Sequence, residues 1–302
     1  NSRVRFPAGM VAEALARCPA EITLGSVRGD TYRLAPGHRL YSSCVVDPFM
    51  LDFHEGRRPP RLADCATNAR LVDALDLITM PYKMDLDYVD ATGHTALLES
   101  NLAFMSSMSK HTLCAPHDAE GARVWIEMSE IMAGGSLRDN PIVSALVSPI
   151  SPLTFDPQFL EIVACLLPHG IPLILLPCPQ AGATGPFTLA GTVVDFNAEN
   201  LAAITLIQML QPGAPLHYHN VAMGFDMRSG RSSLGGPEKA LCAIAGVDMG
   251  RFYGLSSGCP GTATNSVHYD IQNGAETMSQ LLLAIASRAN LITGIGSIGN
   301  GM

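Results

Sequence analysis

Charge is scarce in this chain and strongly one-sided where it occurs. Only 15% of the 302 residues are charged, acidic residues (27) outnumber basic ones (19), and the formal charge is −8. No run of lysine or arginine forms a phosphate-binding stripe, so nucleic acid is not an expected partner. Aromatics make up 6%. The eight cysteines, Cys18, Cys44, Cys65, Cys114, Cys165, Cys178, Cys242 and Cys259, never fall in C-x-x-C or other close ligand spacing. They read as small buried hydrophobes in a reducing compartment, not as disulfides or a metal site. No apolar stretch reaches the ~20 residues that cross a bilayer, and no basic-then-apolar leader opens the chain. A cytoplasmic protein without a membrane partner is expected. No G-x-G-x-x-G follows the first strand-like segment, which argues against an open dinucleotide-binding sheet.

What is present is apolar surface, 47% of residues, together with 28 Gly, 21 Pro and 14 Met. That is enough to bury a large core, and disorder is excluded. Residues 1–60 read as a small α+β lead-in: a short helix from Pro7 to Cys18, then strand-like EITLGSV, TYRLAP and RLYSSCVV. The Pro pair in EGRRPPRLAD marks a boundary. From Leu62 onward, seven helix-like stretches alternate with short continuous apolar runs: LDLITMP, HTLCAP, IVSALVSP, IPLILLP, APLHYHN, FYGLSSG and NLITGIG. Continuous runs are the pattern of parallel strands covered on both faces. Seven such units predict an α/β fold, a TIM-type (β/α) barrel over 61–302, with the last unit outside the chain. Chemistry would then sit on the loops that follow the strands.

Those loops carry the motifs. SPISPL, AGATGPFTLAGT, NAENLAAITLIQMLQPGAPL, GGPEKALC, SGCPGTATNS, YDIQNGAE and NLITGIGSIG occur in this order, preceded by VRFPAGMVAEALARCPAEITL. In that order and spacing the chain resembles the trimethylamine methyltransferase superfamily, across most of its length and least clearly between Tyr82 and Lys110. Compared with a full member, it is expected to lack its beginning and its last strand, helix and tail. The resemblance implies a TIM-type barrel that moves a methyl group from an amine to the Co(I) of a corrinoid (cobalamin) carried by a separate corrinoid protein. It implies no cofactor bound by this chain itself. Founding members place pyrrolysine in the active site; by resemblance that position falls within Ala263–His268, where this chain has only standard residues. That implies a quaternary, betaine-like amine such as glycine betaine as substrate. A homo-oligomer is the expected assembly.

A quaternary ammonium already carries a neutral amine as its leaving group, so the site must position the methyl group and exclude water; no general acid is required. Recognition of the cation calls for aromatic faces at the barrel mouth, and Tyr218, Phe225, Tyr253 and Tyr269 are the candidates; barrel packing is the alternative for each. Within the loop that stands in for the pyrrolysine region, His268 is the candidate catalytic residue, able to donate to a substrate carboxylate. Asp270 and Gln272 beside it are candidate substrate contacts, with helix capping the alternative for Asp270. Gly182, Gly185, Gly191, Gly258 and Gly261 are the candidates for a small, flat surface against which the partner's corrinoid docks.

His217 and His219 form an H-x-H whose period of two puts both imidazoles on one strand face. They are candidate substrate contacts, with hydrogen-bonded core histidines as the alternative. The same pair opens a rival reading, a zinc-dependent barrel hydrolase, although no later His, Asp or Glu set completes a metal triad and no metal is expected. A barrel that binds a betaine without turnover is the non-enzymatic rival.

Overall fold

The computed structural model describes residues 3–43, 49–84, 88–91 and 95–297. Its centre is a ring of parallel strands. β6 (Thr112–Cys114), β7 (Val143–Val147), β8 (Leu173–Leu175) and β10 (Leu216–Tyr218) pair in that order, and β13 (Gly258–Pro260), β14 (Leu291–Ile295) and β3 (Leu40–Ser43) form a second parallel set. Two junctions join the sets. On one side Tyr218 bridges to Ser257, with Tyr218 N donating to the Ser256 carbonyl at 3.1 Å. On the other, residues 79–83 lie between β3 and β6: the Thr79 and Met80 amides both donate to Tyr41 O at 3.0 Å, and Leu113 N donates to Pro81 O at 2.8 Å. Counting 79–83 as a stave, eight staves close the ring.

This differs from the expected seven strands in two ways. RLYSSCVV, assigned by sequence to the lead-in, supplies β3 and is the first stave. FYGLSSG joins the ring only at its end: Phe252 closes α7 (Pro237–Phe252), Ser257 bridges to Tyr218, and Gly258 opens the seventh stave, Gly258–Pro260. All eight staves are therefore present, and the expectation of a missing last strand is corrected. The physical cause is that β3 and β13 are short, β3 ending in two serines and β13 lying between Ser257 and Gly261, so neither shows the long apolar run of a strand buried on both faces.

The helices follow their staves as patterned. α2 (Leu62–Ala74), α3 (Ala96–Met105), α4 (Ala119–Ala133), α5 (Pro157–Leu166), α6 (Leu189–Leu210), α7 and α8 (Ile271–Ala286) succeed the first seven staves in turn. Four starts are fixed by side-chain caps: Asp118 accepts from Gly121 N, Asp156 from Phe159 N, Thr188 from Gly191 N and Asp270 from Asn273 N, at 2.7–3.1 Å. α6 begins eight residues before the apolar periodicity suggests, because Thr188 caps LAGTVVDF into the helix. α1 (Ala8–Arg17) packs on α6, and the hairpin of β1 (Ile22–Leu24) and β2 (Tyr32–Leu34) sends Ile22, Leu24 and Leu34 into one buried cluster with Leu40, Met80, Leu113, Leu146, Ile174 and Leu291. Residues 22–43 thus belong to the barrel, which they plug and begin, so a lead-in boundary at residue 60 does not separate a distinct core. Among the described residues, no helix is long and apolar enough to cross a membrane.

Polar groups share the interior. His111 is fully buried; its Nδ1 donates to Gly25 O at 2.9 Å, which leaves Nε2 to accept from the Ser144 hydroxyl at 2.8 Å. Burial lowers this imidazole's pKa to about 4, and that of His219 to about 3. Between those values and ~6.5 the unfolded chain binds protons that the native barrel refuses, so stability is complete above ~6.5 and is lost as pH falls towards 4. Each group steepens that loss by at most ~1.4 kcal/mol per pH unit. We expect urea midpoints to fall between pH 7 and pH 5, and His111→Gln to flatten the slope whatever its effect at pH 7. An equal slope in parent and variant would remove His111 from the cause.

Candidate functional site

A cavity of about 620 Å³ opens where the staves end, within the ~300–1,000 Å³ of small-molecule sites. Nearly every stave contributes near or just past its C-terminal end: Tyr82 from the second, His117 from the third, Ser148 from the fourth, Cys178 and Gln180 from the fifth, Val221 and Met223 from the sixth, Thr262 and Ala263 from the seventh, and Gly294 and Ser297 from the eighth. This is the barrel end where strand-end loops carry chemistry. Asp156 and Phe159 of α5, Lys239 of α7 and Ser232 and Leu234 beside β12 (Arg231–Ser233) complete much of the wall.

The wall is mostly apolar with a few placed polar groups. Lys239 is 3% exposed and stands in the first turn of α7. Asp156 is held by the amide of Phe159 at the start of α5. Cys178 donates to Leu176 O at 3.1 Å, and burial pushes its thiol up to about 12, so it is no nucleophile at neutral pH. The SPISPL loop is anchored from behind: Glu199 of α6 accepts from Ser151 Oγ at 2.9 Å and Leu153 N at 2.8 Å. Burial raises the pKa of Glu199, and that of Asp195 one turn earlier, whose Oδ2 is buried without a hydrogen-bond partner.

None of the residues singled out from sequence lines this cavity. His217 and His219 face the barrel interior, fully buried, with ring centroids 6.0 Å apart. His217 Nδ1 pairs with Ser256 Oγ at 3.0 Å and His219 Nε2 with Thr293 Oγ1 at 3.2 Å. Thr293 lines the cavity, so His219 stands one hydrogen bond away from it. Among the described residues no three His, Cys, Asp or Glu side chains converge as a metal site, leaving the zinc-hydrolase reading without a third ligand.

Tyr218 points outward and donates from Oη to Asn197 Oδ1 at 2.9 Å; Asn197 Nδ2 in turn reaches Tyr253 Oη at 3.0 Å, so both tyrosines belong to the helical shell. Phe225 is half-buried on β11 (Met223–Asp226). Tyr269 is exposed, its Oη bonded to Leu51 O at 2.9 Å. His268 is exposed, Asp270 is the cap of α8, and Gln272 donates to Glu276 Oε1 at 2.9 Å. That same Glu276 holds Thr264 Oγ1 at 2.7 Å and Asn265 N at 2.9 Å, so Gln272 and Glu276 stiffen the 263–268 loop from outside.

The glycines divide similarly. Gly182 has φ +92° in the turn after the short strand Gln180–Ala181, Gly185 closes that turn by donating its backbone N–H to Gln180 O at 2.9 Å, and Gly191 lies in the first turn of α6. Gly258 faces inward and Gly261 packs against Ile292 and Leu281.

The family model for trimethylamine methyltransferase (MTTB) matches residues 1–301. The chain belongs to this family. Glycine betaine methyltransferase of Desulfitobacterium hafniense is 31% identical over 97% of the chain and 62% of its own length. Trimethylamine methyltransferase MttB2 of Methanosarcina mazei is 37% identical over 100% of the chain and 63% of its own. The chain thus spans about six-tenths of the curated relatives it matches. Among solved structures, monomethylamine methyltransferase of Methanosarcina barkeri superposes with a TM-score of 0.69 at 12% identity, over 97% of this chain and 63% of that one. A dihydropteroate synthase from Xanthomonas albilineans gives 0.54 at 12% identity, over 91% and 93%. Both are likenesses of fold.

In this family member, sequence reasoning missed Lys239, Asp156, Gln180 and Thr262. The signal available for Lys239 was its place in GGPEKALC: a lysine in a helix's first turn faces the positive end of the macrodipole, a local cost that invites explanation. Gly258 generates a test of the floor. A Cβ there would lie 2.5 Å from Leu291 O and 2.6 Å from His217 Nε2. Gly258→Ala should therefore lose about 1–3 kcal/mol, as overpacked cores do. A thermal midpoint equal to the parent's would show that the staves separate more easily than the structure implies.

Proposed function

We propose that this chain carries the barrel of an amine methyltransferase that moves a methyl group from a quaternary, betaine-like amine to the Co(I) of a corrinoid held by a partner protein. The observation that carries it is the cavity at the strand ends of a chain belonging to this family. Relatives named for glycine betaine and for trimethylamine both support an amine substrate; the choice of a quaternary one rests on the standard residues that fill Ala263–His268.

The corrinoid, bound by its own protein, supplies the nucleophile that accepts the methyl group. On this chain's side, the carbon–nitrogen bond breaks with its electron pair staying on nitrogen, so the product leaves as a neutral amine and no proton is needed. The barrel's work is to bind, orient and keep water out, where orientation alone can be worth ~7–11 kcal/mol. The cavity suits this: an apolar wall (Leu146, Leu176, Val221, Met223) is preferred by methyl groups over water, and the floor histidines stay neutral. The mouth also suits a protein partner, because Ile150, Leu153, Phe187 and Met227 are exposed on the strand-end loops around it.

The test mixes the protein with its reduced corrinoid protein and glycine betaine and follows cobalt methylation by absorbance. Methylation dependent on the betaine is expected, with neither zinc nor corrinoid copurifying with this chain. Betaine binding with no methylation would make the barrel a binding module, and stoichiometric zinc with hydrolytic activity would replace the reading altogether.

A further inference from the structure

Three motifs that no step of the proposed reaction uses, GGPEKALC, SGCPGTATNS and YDIQNGAE, meet in one hydrogen-bonded cluster beside the cavity. Residues 232–235 end the long loop between the sixth stave and α7, and residues 262–266 follow the seventh stave. Each segment gives the cavity two lining residues, Ser232 and Leu234 from the first and Thr262 and Ala263 from the second. Asn265 joins them directly: its Oδ1 accepts from Gly235 N at 2.8 Å, and its Nδ2 donates to Ser232 O at 2.9 Å.

Helix α8 fastens both segments from behind. Gln280 is 3% exposed, and its Nε2 donates to Leu234 O at 3.0 Å and to Ala263 O at 2.7 Å, one carbonyl on each segment. Both hydrogens of that nitrogen are thereby used, and Gln280 Oε1 is left buried without a partner among the described residues. An unpaired buried oxygen is unfavourable; it is offset here because one side chain satisfies carbonyls of two different loops. One turn earlier, Glu276 Oε2 accepts from Thr264 Oγ1 at 2.7 Å and Asn265 N at 2.9 Å, while Oε1 accepts from Gln272 Nε2 at 2.9 Å. Burial alone would raise this carboxyl, but the three donors hold it below its usual range, so it stays ionised at neutral pH. Gly235 makes room for it, since a Cβ there would collide with Glu276 Oε2. Moving the segments apart would break bonds on Asn265 and Gln280 at once.

We propose that Asn265, Glu276 and Gln280 are positioning residues of the substrate site, a latch that locks the sixth and seventh strand-end loops into one wall and so holds the substrate in line for methyl transfer. None of the three lines the cavity; each acts through the four residues that do. The effect on rate rests on the methyltransferase reading of this cavity, and the coupling of the loops rests on geometry alone. A wall displaced by about 1 Å costs alignment on the order of 100-fold in rate, whereas burial of methyl groups, which carries affinity, is non-directional.

Two measurements test the latch. One is hydrogen–deuterium exchange of the chain by itself. The other sets single-turnover methylation of the reduced corrinoid protein at saturating glycine betaine beside betaine affinity by calorimetry. Gln280→Met keeps the length of the side chain and removes both bonds. Exchange should then rise in residues 232–235 and 262–266 together, and the rate should fall about 10- to 100-fold while affinity changes by less than about threefold. Gly235→Ala should do the same through Glu276, because the displaced carboxylate releases Thr264 and Asn265 while every side chain of the latch remains; it decides both points if Gln280→Met does not fold. Glu276→Ala should be slow, and Glu276→Gln should stay within about threefold of the parent, because its oxygen can replace Oε2 and its amide can donate to Gln272 once that amide turns over. Exchange that rises in one segment alone, or in neither, overturns the coupling. A rate that falls no further than affinity, or Glu276→Gln as slow as Glu276→Ala, overturns the positioning role. Should the parent bind betaine without methylating the corrinoid protein, the reaction reading falls and coupled exchange still supports the latch; uncoupled exchange with no betaine bound would sink both.

Discussion

Closure of the strand ring is the constraint on which everything else depends. Two separate parallel sets of these staves would leave unpaired amides and carbonyls at their edges; the hydrogen bonds of residues 79–83 to Tyr41 and Leu113 on one side and the Tyr218–Ser257 bridge on the other join the sets into a ring. Asn290 reinforces the seam, donating to Ala35 O at 2.7 Å and His38 O at 3.0 Å while accepting from Ser257 N at 3.0 Å. One side chain thus ties the first, seventh and eighth staves together. Because the ring closes, the strand-end loops converge on a single mouth, and residues as distant in sequence as Tyr82 and Ser297 line one cavity.

Closure also forces a choice about what fills the interior. Towards the hairpin plug the ring is packed with Leu, Ile and Met, but nearer the cavity it holds His217 and His219 with hydroxyl partners. Burial keeps both imidazoles neutral, so the floor contributes shape and hydrogen bonding without charge. The charge that the cavity does hold is placed on helix starts: Asp156 where the α5 dipole stabilises it, Lys239 where the α7 dipole opposes it.

The sequence by itself determined the class of fold, because continuous apolar runs alternating with 10- to 20-residue helical periods leave few packings other than a parallel sheet sheathed in helices. It determined six of the seven predicted strand positions, all seven helices after residue 60 and, through motifs such as AGATGPFTLAGT, the family. One cap was legible as well: Asp270 precedes a periodic run and its bond to Asn273 N is local.

What only the tertiary structure decided was which residues share a place. Tyr218 has the composition of a cation-binding residue, yet its strand position turns it outward to Asn197, because alternate residues on a stave face opposite sides. His268 sits in the expected loop but beyond the turn that carries Ala263 to the cavity, while Glu276 fastens that loop from the α8 side. The motif GGPEKALC that holds Lys239 does not place it at a cavity. It enters the site because the sixth stave brings α7 to the mouth opposite Tyr82, and opposition across a ring depends on stave count and closure, which no local run of residues encodes.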